Sequence, residues 1–163
     1  LTQVGLELKS KPNDPLTSIS LSSLTQVGQS LTIFNNAALT NVDDLSSLEQ
    51  VTNVSISKND ALVQVNGLAA LTSIDGHLSI AHNPALTSMD GLSNVTQVSG
   101  YLNIDDNPSL INLVGISNVV TVGGFLRISD NVALCQSLVD DFLEALGAGL
   151  EGDLLDISGN DGC

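Results

Sequence analysis

"LSIAHNPALTSMDGLSNVTQVSGY" (78–101) runs directly into "LNIDDNPSLINLVGISNVVTVGGF" (102–125). Leu, Ile, Asn and Gly return at fixed places while many letters between them change. Laid out by the phrase L-x-I-x-x-N-x-x-L, the chain restarts at Leu6, Leu31, Val54, Leu78, Leu102, Leu126 and Leu155. Differences between those numbers are 25, 23, 24, 24, 24 and 29. The central Leu or Ile keeps the same frame: Leu8, Ile33, Ile56, Ile80, Ile104, Ile128 and Ile157. Random apolar composition does not hold such a register, so the period is architectural.

Each L-x-I is a period-2 pattern, which predicts a short strand with Leu and Ile pointing inward. The rhythm then changes to every third residue, as in Leu86, Met89, Leu92, Val95 and Val98. That spacing predicts a chain bending around a core, with Gly67, Gly91 and Gly115 easing one bend and Gly76, Gly100 and Gly124 another. One phrase cannot bury its own aliphatic row, but stacked phrases can. The expected fold class is a β-rich solenoid, a right-handed β-helix of about 24 residues per turn. A recurring Asn follows each strand: Asn13, Asn36, Asn59, Asn83, Asn107, Asn131 and Asn160. Its amide suits a structural ladder that satisfies backbone groups inside the bend.

Composition fits this design. The 163 residues are 42% hydrophobic but only 2% aromatic, so the core is aliphatic. Four Lys+Arg stand against 18 Asp+Glu, a net charge of −14 that excludes a phosphate-binding surface and hence nucleic acid. No apolar run is long enough to span a bilayer. The chain opens at Leu1 without a signal-like segment and reads as a mature or trimmed piece.

The phrases "LSIAHNPALTSMDGL", "LNIDDNPSLINLVGI" and "LRISDNVAL" resemble leucine-rich-repeat solenoids, specifically receptor L-domain-like coils of extracellular proteins. The likeness runs from about Leu6 to Cys163. No obvious helix lies on the outer side of each phrase, which matches the more β-helical L-domain variety. The ending, "NVALCQSLVDDFLEALGAGL" then "DISGNDGC", resembles the ends of secreted bacterial proteins of this kind. The resemblance implies a secreted or cell-surface location.

The longest interval carries an insert in which Leu138, Phe142, Leu146 and Leu150 fall at helical spacing. A helix is expected over about 137–146, capped by Ser137, with Asp140 and Asp141 in its first turn and Gly147 and Gly149 beyond it. Residues 1–163 then form a single domain with a C-terminal cap over 135–163. The only two cysteines, Cys135 and Cys163, flank this cap and are expected to form a disulfide. Closing that loop contributes roughly 3 kcal/mol in the chain-entropy model. The N-terminal stretch "LTQVGLEL" resembles the tail of an earlier turn and carries no cap, which admits end-on self-association.

Candidate function lies on the sheet face, on the order of 29 Å long at the usual strand spacing. Its first outward row is Glu7, Thr32, Ser55, Ser79, Asn103, Arg127 and Asp156. The second is Lys9, Phe34, Ser57, Ala81, Asp105, Ser129 and Ser158. From Thr32 to Ser129 these rows form the candidate binding surface for a protein or glycan. A third row, just before each Asn, holds Asn35, Lys58, His82, Asp106, Asp130 and Gly159. Asp105, Asp106 and Asp130 read as solvated acids, with calcium as the alternative. No other cofactor is indicated. His82 beside Asp106 suggests acid–base chemistry, but no partnered nucleophile accompanies it, so no enzyme is expected.

Two Thr rows (Thr17, Thr40, Thr87 and Thr25, Thr72, Thr96) resemble ice-binding faces but are broken by Val63, Ile111 and Glu49. Asn53 and Asn94 begin glycosylation-type triplets. The leading expectation is a non-catalytic recognition or adhesion module within a larger surface protein. End-to-end assembly through the uncapped coil is the rival, and ice binding a lesser one.

Overall fold

The L-x-I phrases form strands in a computed structural model, which describes residues 6–9, 16–150 and 155–163, with backbone alone for 6–9. The strands are β1 (Leu6–Lys9), β2 (Gln26–Phe34), β3 (Gln50–Ser57), β4 (Ser73–Ile74), β5 (Leu78–Ala81), β6 (Gln97–Val98), β7 (Leu102–Asp105), β8 (Thr121–Val122), β9 (Leu126–Ser129) and β10 (Leu155–Asp156). One helix, α1, spans Gln136–Leu146.

Among the described residues, a seven-stranded parallel sheet runs β1-β2-β3-β5-β7-β9-β10, and β4-β6-β8 make a second sheet of three. Registers keep the phrase: Val54 pairs with Leu78, Leu78 with Leu102, and Leu102 with Leu126. Ile56, Ile80 and Ile104 pair in succession across the same strands. All of these side chains are buried. Among the described residues the fold is therefore a parallel β-rich one with one short α-helix near the C-terminus, and no described helix is long and apolar enough to cross a membrane.

The every-third-residue stretches contain 3-10 turns at Asp43–Leu45, Asn66–Leu68, Asp90–Leu92 and Val114–Ile116. Leu86, Met89, Leu92 and Val95, which lead into, occupy and follow one of these turns, are all buried. Short side chains start several turns: Asn41 Oδ1, Ser88 Oγ and Asn112 Oδ1 accept from the amides of Asp43, Asp90 and Val114.

The glycines do something other than ease bends. Gly67, Gly91 and Gly115 have no left-handed backbone. A Cβ on Gly91 would collide with the Val65 carbonyl and stand 2.6 Å from Asn66 Cα. The missing side chain lets one 3-10 turn rest directly on the backbone of the one before.

The Asn amides span the opposite bend. Asn83 Nδ2 donates to the carbonyls of Ile56 and Ala81 and to Asn107 Oδ1, at 3.0–3.2 Å. Asn83 Oδ1 accepts from the backbone amide and the side-chain Nδ2 of Asn59. Asn36, Asn59, Asn107 and Asn131 each pass the link onward, ending at Asn160. All six side chains from Asn36 to Asn160 are buried. Asn13 lies outside the described residues.

The cap differs in detail from the spacing rule. Cys135, not Ser137, precedes the helix, with no side-chain cap, and the first turn holds no acid. Val139, Phe142 and Leu146 are the buried face, while Leu138 is exposed. The helix begins at Gln136, one residue earlier than expected. Gly147 ends the helix with φ of 52°. The Cys135–Cys163 disulfide is present, with Cα atoms 5.0 Å apart. Leu155, expected inward, is 47% exposed because β10 is an edge strand covered on one side by β9 alone.

Candidate binding face

Thr32, Ser55, Ser79, Asn103, Arg127 and Asp156 align across β2, β3, β5, β7, β9 and β10 through successive parallel registers. Each is half-buried, as expected of a row standing on the outer side of a sheet. Asn103 Nδ2 donates to Ser79 Oγ at 3.1 Å, tying two members together.

The second row departs from expectation in its lower half. Phe34 and Ser57 are half-buried, but Ala81, Asp105 and Ser129 are buried. Arg127 is the cause for the two polar ones. Its guanidinium lies 3.2 Å from Asp105 and 3.1 Å from Asp156, and its Nε donates to Ser129 Oγ at 2.8 Å. Ser129 Oγ in turn donates to Asp105 Oδ1 at 2.8 Å. One cation thus folds flat over the sheet and covers the row behind it. Ala81, the smallest member, is buried between Ser57 and Asp105 on the neighbouring strands.

The acidic trio does not converge. Asp105 is committed to Arg127 and Ser129, Asp106 Oδ2 meets His82 Nδ1 at 2.7 Å, and Asp130 stands 3.9 Å from the guanidinium. Among the described residues no three His, Cys, Asp or Glu side chains are placed to hold one metal ion. The Arg127 guanidinium stands beside Asp105 and Asp130, while Asp106 pairs with His82.

Backbone geometry explains why these letters occur. Asn35, Lys58, His82, Asp106 and Asp130 have φ between 49° and 59°, and Gly159 has 71°. Each of the six described segments passes through left-handed backbone immediately before its ladder Asn. Asn, Asp and His are the non-glycine residues most often found there. The row is therefore selected by conformation, and its acids and histidine need no ligand to account for them. Lys58 alone falls outside that set, and its Nζ sits 5.5 Å from the centre of the Phe34 ring.

Sequence reasoning missed one feature. His77, Tyr101 and Phe125 stack face to face, centroids 4.0 and 4.7 Å apart. The Tyr101 amide also donates to His77 Nδ1 at 3.3 Å. The signal was present, since each ring stands one residue before an L-x-I strand. Asn53 begins the same column: its Oδ1 accepts from the His77 amide and its Nδ2 reaches Ser30 Oγ. The Asn53 side chain is thus engaged through both Oδ1 and Nδ2, whereas the exposed Asn94 amide donates to the Ala69 carbonyl alone.

No protein-family model, curated protein or solved structure matches the chain.

Proposed function

We propose that the chain is a leucine-rich-repeat, receptor L-domain-like solenoid serving as a non-catalytic recognition or adhesion module outside the cell. Its outer sheet row binds a protein or a glycan. The observation that carries this reading is the in-register row Thr32, Ser55, Ser79 and Asn103: small polar side chains at strand spacing, backed by a buried Leu/Ile column. A face held from behind by a buried aliphatic column loses little conformational entropy on binding. The disulfide suits an oxidising compartment. His82 and Asp106 form an exposed pair whose identities the left-handed backbone at both positions already explains.

Glycan-array screening and protein pull-down test the reading. Ligands retained by the wild type should bind at least about tenfold more weakly to Ser55→Tyr and Ser79→Tyr variants with unchanged melting. A retained ligand indifferent to both changes would place recognition elsewhere.

End-to-end assembly is favoured by one observation, that β1 pairs only with β2 and stands at the sheet edge among the described residues. Concentration-dependent filaments, with no retained ligand, would establish it instead.

A further inference from the structure

Large apolar side chains exposed among the described residues are not spread evenly: all but Val63 follow residue 110. Comparison by register sharpens this. Val114 opens its 3-10 turn where Asp43, Asn66 and Asp90 open theirs. Val120 stands where earlier segments carry Glu49, Thr72 and Thr96. The segment beside α1 has replaced polar letters with aliphatic ones, yet Val114 is still 55% exposed and Leu138, facing it, 37%.

An open groove lies between that turn and α1. Leu113 and Phe142 form its floor, Val114, Leu138 and Ala145 its sides, and Asp141 its rim. Charge identifies the occupant. Helix α1 carries Asp140, Asp141 and Glu144 without one Lys, Arg or His. Beyond Lys58 the sequence holds a single cation, Arg127, and it is engaged by Asp105 and Asp156. A second copy of this acidic chain would bring like charge to like charge.

We propose that this groove docks a cationic amphipathic helix of a partner protein, its apolar side chains between Val114 and Leu138 and its Lys or Arg residues beside Asp141. The geometry is helix-in-groove recognition with an acidic rim. This surface is separate from the outer sheet row.

A labelled Leu/Lys peptide of about 14 residues, patterned as an amphipathic helix, is the probe. It is titrated against the whole chain beside a scrambled peptide of the same composition and a Leu/Glu counterpart. The patterned peptide should bind at least about tenfold more tightly than either control. Val114→Asn and Leu138→Gln should each weaken it at least about tenfold at unchanged melting temperature. Asn66 already holds the position equivalent to Val114, so the first change keeps the turn. Asp141→Asn should weaken binding about threefold and flatten its salt dependence. Equal binding of patterned and scrambled peptides, or indifference to Val114→Asn, would overturn the proposal. So would a wild-type dimer in sedimentation that Val114→Asn abolishes, since the face would then belong to a second copy.

Discussion

The two bends between successive segments are held by opposite means. At the bend after the main sheet, a side chain enters the gap, and Asn59, Asn83, Asn107 and Asn131 each hydrogen-bond their own segment and both neighbours. At the 3-10 bend a side chain is withdrawn, and glycine lets backbone lie on backbone. The first bend is specified by polar satisfaction and the second by steric fit. They should therefore fail differently: loss of an amide strands buried donors and acceptors, while gain of a methyl pushes segments apart.

The largest expected effect is at the Asn bend. Asn83→Ala removes three donated and two accepted bonds from a buried site and should cost about 4 kcal/mol in chemical denaturation. A cost below about 1 kcal/mol would mean water replaces the amide. At the other bend, Gly91→Ala should cost about 3 kcal/mol, because the new Cβ meets backbone atoms that cannot swing away. Asp44 provides the matching control. It holds the middle of the first 3-10 turn, and the described residues 16–25 before it form no such turn. Asp44→Ala should stay within about 0.5 kcal/mol of wild type. Equal losses at positions 44 and 91 would show that the glycines serve something other than close stacking.

Much of this contrast was legible beforehand. The Leu/Ile frame gave the strands and their pairing because a 24-residue period fixes which side chains meet. The Asn column declared itself by holding that frame from Asn36 to Asn160, with Asn13 alone two residues late. What misled was chemistry read without backbone. Asp106 and Asp130 were weighed with Asp105 as a calcium alternative and His82 with Asp106 as an acid–base pair, yet a left-handed φ accounts for the identities of Asp106, Asp130 and His82. Asp105 and Ser129 looked exposed because alternation alone says nothing of a long Arg127 side chain lying across them. The glycines were recognised but misassigned, since spacing does not distinguish a strained turn from a close approach. His77, Tyr101 and Phe125 were available at the same period and were overlooked because three different residue types do not resemble a repeat.

The left-handed row has a consequence for how such a surface can change. A position that tolerates Asn, Asp, His and Gly almost alike admits negative, neutral and protonatable letters without asking the fold for anything. Exchanging Asn35 for Asp, or Asp130 for Asn, would shift the local field by a full unit while every strand stayed in place. That corner is a dial for electrostatic character, turned one residue at a time and uncoupled from the shape beneath it.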